Sequence, residues 1–164
     1  FIKIVNKPAG FICEDVNVRK ILGPQHFLIH RLDKETTGLL LIAKTKEVKE
    51  RFISLFSEKE IEKEYLALAD GIYPHQTARK ETFLEKKKSF SGQTIWGSSQ
   101  SQRGLYALTN FEVLARGSKA TFFLCRPITG RTHQIRVHLA ELGHPILIDR
   151  QYAEHFRCPI GFSR

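Results

Sequence analysis

The sequence predicts an α+β fold: a mixed, mainly antiparallel β-sheet with flanking helices. Three observations carry that reading. Along the 164 residues, runs with strand character outnumber amphipathic helical stretches. Two of the later runs, residues 105–115 and 119–125, face each other across Arg116-Gly117-Ser118 as a hairpin would. No G-x-G-x-x-G or G-x-x-x-x-G-K-[ST] follows a strand, which disfavours a doubly wound nucleotide fold. A chain of this length makes one domain, residues 1–164, with an ample core.

The elements follow in order. Residues 1–6 (FIKIVN) alternate as a strand, and Lys7-Pro8-Ala9-Gly10 forms a turn. Residues 15–22 form one short helix. Residues 27–30 are short, apolar and lead into a polar turn. After Gly38 comes the aliphatic run Leu39-Leu40-Leu41-Ile42, expected as a strand buried on both faces and extending to residue 44. Thr45 caps a helix whose buried stripe is Val48, Phe52, Leu55 and Phe56. Residues 64–69 form a strand containing Tyr65. Residues 93–104 (QTIWGSSQSQRG), polar and rich in Ser, Gln and Gly, are expected as a mobile loop. Thr132 is expected to cap a last helix that carries Ile135, Leu139 and Leu142 and stops at Gly143. Residues 145–148 close as a short strand.

Charge points outward to a partner. The formal net charge is +9, and residues 113–140 hold five basic residues (Arg116, Lys119, Arg126, Arg131, Arg136) and no acid. Arg79-Lys80, Lys86-Lys87-Lys88 and Arg103 form a second cluster. Such clusters attract phosphate backbones, although charge alone fits solubility equally well. No apolar stretch approaches the ~20 residues of a membrane span. Cys13, Cys125 and Cys158 are odd in number with no C-x-x-C, so a reducing, cytoplasmic setting is expected. The opening residues do not read as a signal peptide. Met is absent and the first residues already read as a strand, so further sequence is expected on both sides.

Two polar motifs could carry chemistry. His30-Arg31-Leu32-Asp33 places an acid beside an arginine at the edge of an apolar core. Burial raises a carboxyl pKa, and an arginine within ~4–6 Å offsets that, so an ionised Asp33 would serve as nucleophile or base. A turn-forming Asp is the plainer alternative. The second motif, residues 127–138 (PITGRTHQIRVH), sets two arginines and two histidines about a helix start. Arg136 flanks the buried stripe and needs an acidic partner there; Asp33 is the natural candidate. The alternative is that Arg136 reaches solvent along the helix. His133 and His138 are five apart and do not share a helical face, so no metal is expected, and the two read as structural or RNA-contacting. No G-x-S-x-G supports a serine hydrolase. Tyr65 could equally be core packing or a stacking ring with a polar tip.

Five stretches in order resemble the RluA-type RNA pseudouridine synthases over nearly the whole chain: NKPAG from Asn6, HRLDKETTGLLL from His30, KEYLAL from Lys63, ALTNFEVL from Ala107 and PITGRTHQIRVHLAELGHPILID from Pro127. The resemblance implies a mixed, mainly antiparallel sheet and conversion of uridine to pseudouridine in structured RNA. Ribosomal RNA of the large subunit is the first expectation and transfer RNA the second. It implies Asp33 as the catalytic acid, Tyr65 stacking on the target base and Arg136 pairing with Asp33. Arg31 would contact the RNA beside the extruded nucleotide, with His30, Lys7, Arg131, His133 and Gln134 as further RNA-binding residues. No cofactor, metal or membrane is implied, and a monomer is expected. An RNA-binding or RNA-folding protein without turnover, on the same scaffold, is the rival reading.

Overall fold

A computed structural model describes residues 1–90, 93–101 and 103–153, with backbone alone for Phe90 and Gln93. The chain divides into two compact units, Phe1–Ile61 and Glu62–Arg164.

The first unit contains β1 (Ile2–Lys7), α1 (Asp15–Leu22), β2 (Phe27–Leu28), β3 (Gly38–Ala43) and α2 (Lys46–Ser57). Its antiparallel sheet has the order β1-β3-β2. The aliphatic run is the central strand, as expected. Leu40 and Ile42 are fully buried, but Leu39 is 69% exposed, so burial on both faces begins one residue late. Gly38, at φ 122°, takes a backbone conformation that side chains disfavour, and this turns the chain into β3. Thr45 caps α2 by accepting from the Val48 amide at 3.3 Å. The α2 stripe Val48, Phe52, Leu55 and Phe56 is half-buried. The Asp15 carboxylate ties α1 to its neighbours, accepting from the Leu28 amide (2.8 Å) and from Lys49 (3.4 Å).

The second unit contains β4 (Tyr65–Asp70), β5 (Thr77–Phe90), β6 (Gln93–Ser98), β7 (Leu105–Arg116), β8 (Ala120–Pro127) and α3 (Gln134–Glu141). They form an antiparallel sheet of order β4-β8-β7-β5-β6. The β7–β8 hairpin is the one read from the sequence. Its core holds Ala67, Ala69, Phe111, Val113, Phe123, Cys125 and Leu139. Leu84, Ala107 and Val137 form a second cluster.

Three expectations need correction, and one strand was not expected at all. Residues 93–104 are not simply a loop: Gln93–Ser98 is β6, because Thr94, Ile95 and Trp96 have strand character and pair with β5. β5 itself went unread, since its charged residues hide the alternation. Past Leu84 it leaves β7 and pairs with β6 alone, as a two-stranded ribbon with a bulge at Lys87. The ribbon's base is tied to α3 through Glu141, which accepts from the Ser98 amide (3.0 Å) and hydroxyl (2.7 Å). Thr132 does not cap α3; the helix starts after His133, in the left-handed region at φ 56°, with no side-chain cap. Residues 145–148 form a single bridge, Ala69 to Ile146, and no strand. Among the described residues, no helix is long and apolar enough to cross a membrane.

Candidate active site

The acid turn is built around a buried lysine. Lys7, at the end of β1, is 1% exposed. Its ammonium donates to the carbonyls of Pro8 (2.8 Å), Phe11 (3.1 Å) and Lys34 (2.9 Å). A buried charge without such partners would be costly, and three carbonyl dipoles supply them. The Lys34 carbonyl also accepts from the Gly10 amide at 2.9 Å. The NKPAG turn therefore grips the backbone immediately after Asp33. A turn follows, closed by the Thr36 amide donating to the Asp33 carbonyl at 3.1 Å. Leu32, buried, pins the residue before the acid. His30 fixes the turn from its other end: its Nε2 accepts from the Leu41 amide at 3.1 Å, and its ring lies 5.2 Å from that of Phe56. Asp33 is left half-buried and Arg31 exposed.

In the second unit, a neutral polar network holds the chain entering α3. Gln134 is 4% exposed and all four of its amide bonds are made. Its Oε1 accepts from Thr129 (2.7 Å) and the Arg131 amide (3.0 Å). Its Nε2 donates to the Leu108 carbonyl and the Thr109 hydroxyl, both at 2.9 Å. His138, fully buried, bonds Thr109 through Nδ1 (2.9 Å) and Thr82 through Nε2 (3.0 Å). Burial pushes its pKa down to about 4, so the ring is neutral near pH 7.

Arg136, on the same helix, has its acid close by. Its Nε and Nη2 donate to the two Asp149 oxygens at 2.7 and 3.0 Å, and Nη2 also donates to Gln151 at 2.6 Å. The guanidinium lies 4.9 Å from the Tyr152 ring centre. Burial alone would raise the Asp149 carboxyl; hydrogen bonds from Arg136 and the Gln151 amide outweigh it and hold the group below the usual range. The Tyr152 hydroxyl accepts from the Trp96 amide (3.0 Å) and bonds His133 Nδ1 at 2.7 Å. Tyr65 opens β4 opposite Cys125, half-buried against the core. Among the described residues, no group of three or more His, Cys, Asp or Glu is placed to hold a metal.

The model of one protein family, described as RNA pseudouridylate synthase, matches residues 2–141. The chain belongs to that family. Ribosomal large subunit pseudouridine synthase C of Escherichia coli K12 is 40% identical over 164 aligned residues, covering 93% of this chain and 51% of that protein. The protein of that name from Buchnera aphidicola is 33% identical over 160 residues, covering 91% and 50%. The chain thus spans about half the length of the curated relatives it matches. Among solved structures, human RNA pseudouridylate synthase domain containing 1 superposes with a TM-score of 0.78 at 28% identity, and domain containing 4 with 0.76 at 26%. Each covers 93% of this chain, which in turn covers 66% of each.

Within this chain the nominated site residues fall into two groups. His30, Arg31, Asp33, Tyr65, Arg131, His133 and Arg136 keep some exposed surface. Lys7 and Gln134, nominated as RNA-binding, are buried and spend their donors on the protein's own backbone and hydroxyls, so they anchor the motifs instead of facing a partner. Asp33 lies in the first unit; Tyr65 and Arg136 lie in the second. Asp149, Gln151 and Tyr152 were missed as the setting of Arg136. The signal for Asp149 is the cost of a half-buried arginine.

Proposed function

We propose that this chain is the catalytic segment of an RNA pseudouridine synthase acting on uridine in large-subunit ribosomal RNA, as a monomer, in the cytoplasm. The observation that carries the proposal is the acid turn. Asp33 is the half-buried carboxylate of a motif whose backbone is fixed at Lys34 by a buried lysine and at His30 by a ring nitrogen. A surface turn would not need that investment. The family membership and the names of the relatives support the same reading.

The reaction is an isomerisation and needs no cofactor. The target nucleotide leaves its stack to reach the acid. Asp33 acts on its ribose so that the N1–C1′ bond breaks. The freed uracil turns, C5 bonds to C1′, and the hydrogen lost from C5 is balanced by one gained at N1. In this scheme Tyr65 stacks on the base and Arg136 orients the Asp33 carboxylate. Arg31, with His30, Arg131 and His133, contacts the RNA.

The test is pseudouridine mapping of total RNA from cells lacking the full-length protein, complemented with wild type or Asp33→Asn. One or a few sites in large-subunit ribosomal RNA should vanish on deletion and return only with wild type. Sites returning with Asp33→Asn would falsify the assignment. Loss confined to transfer RNA would replace the substrate and keep the chemistry.

A further inference from the structure

Among the described residues, no acid pairs with Lys63, a half-buried cation. It lies two residues before Tyr65. Burial alternates along this stretch, so that Lys63, Tyr65, Ala67 and Ala69 share the inward-facing side. Its ammonium makes one long hydrogen bond, 3.4 Å, to the Thr129 carbonyl. It lies 3.7 Å from where a Cβ on Gly130 would sit, so the side chain runs along the loop entering α3. No carboxylate among the described residues is within salt-bridge distance of Lys63. Glu64, its neighbour, is engaged by Arg126 at 2.8 Å.

The charge that acts on Lys63 has the same sign. Burial, and then the Arg131 charge, hold the Lys63 ammonium below the ordinary lysine range. Arg131 is exposed; its Nε donates to the Tyr106 carbonyl at 2.9 Å, which fixes the base of the guanidinium. The Lys63 ammonium lies against Gly130, the residue before Arg131, and among the described residues no carboxylate is within salt-bridge distance of either cation, so the two repel each other in the free protein. An anion between them would reverse both the repulsion and the depressed ammonium. A phosphodiester, with two acceptor oxygens and one charge, suits a lysine acting as point charge and an arginine acting as fork.

We propose that Lys63 and Arg131 clasp one backbone phosphate of the RNA, beside the base that stacks on Tyr65. The clasp rests on the reading that the partner is RNA, and it adds a phosphate contact for which Lys63 was not nominated. The clasp contacts the backbone alone, so it sets position and carries no base preference.

The test uses the full-length protein and unmodified large-subunit ribosomal RNA transcribed in vitro. Binding is measured across a salt series for wild type, Lys63→Ala, Lys63→Arg and Arg131→Ala. Lys63→Ala should weaken binding by about tenfold, the range of a charge-assisted hydrogen bond. It should also lower the slope of log affinity against log salt by about 0.7–0.9, one phosphate's worth. Lys63→Arg should restore the slope, and Arg131→Ala should lower it as Lys63→Ala does. Thermal stability of Lys63→Ala should equal or exceed wild type, whereas a structural lysine would lose stability. Wild-type affinity and slope in Lys63→Ala, with pseudouridine still formed by wild type, overturn the clasp alone. A wild-type protein that binds with the predicted slope differences but makes no pseudouridine supports the clasp and overturns the enzymatic reading. No binding by wild type overturns both.

Discussion

The acid turn is held by a charge, and the loop entering α3 is held by neutral groups. Beneath the turn, the Lys7 ammonium gathers three carbonyls that point inward because the chain reverses there. Beneath the loop, Gln134, Thr129, Thr109 and His138 pass hydrogen bonds among themselves with no ionised member. The difference follows from what needs holding. Three convergent carbonyls call for a donor with three protons, which is lysine. Donors and acceptors that alternate along a helix entry are matched by an amide and hydroxyls, each able to do both. In each place an exposed arginine, Arg31 or Arg131, belongs to a motif fixed by a buried anchor.

Arg136 and Asp149 are the exception within the second region, being an ion pair on the helix that the neutral network seats. Breaking a largely buried pair is strongly destabilising, so Asp149→Ala should cost about 3–5 kcal/mol. Urea unfolding measures it, and a loss below that of Gln134→Leu would show the network, not the pair, dominating α3. The two anchors come next. Lys7→Met strips three carbonyls of a charged donor and should cost about 3 kcal/mol; Gln134→Leu strips neutral groups and should cost about 2 kcal/mol. Equal losses would erase the distinction between charged and neutral anchoring.

The smallest effect is a pH dependence. The folded pKa of His138 is below its ordinary 6.5, so the unfolded chain takes up the proton first as pH falls. Its contribution is present above pH 6.5 and is lost progressively toward about pH 4. Between pH 6.5 and about pH 5 the loss should be about 1.5 kcal/mol. Parallel unfolding curves of wild type and His138→Gln across that range measure it, because the variant lacks this component. Parallel pH dependence in the two would mean the ring is reached by solvent.

What the sequence made legible follows from which forces are local. β1, α1, β3, α2 and the β7–β8 hairpin carry their own apolar periods, and their bounds were read to within a residue or two. β5 was not, because in TARKETFLEKKKSF the large apolar residues are Phe83, Leu84 and, at the far end, Phe90, with no alternation, and the strand exists through its pairing with β7. At the site, Asp33 and Tyr65 stood out by motif. Lys7 and Gln134 were legible as members of motifs but not in direction, since a polar residue type does not say whether its hydrogen bonds go to a partner or to the backbone below. Asp149 sits 13 residues from Arg136, beyond any helical spacing.

The ribbon of β5 and β6 has an architectural consequence. Past Leu84 no residue of β5 pairs with the main sheet, so the ribbon's length is independent of the sheet's register. A two-stranded ribbon is marginal by itself, which makes the Glu141 tie at its base the element to preserve. Inserting two residues in each strand above that tie would extend it by about 7 Å and leave every side chain on its present side. The domain thus carries an adjustable ruler: its reach can change by whole pleats over generations while the acid turn stays as it is.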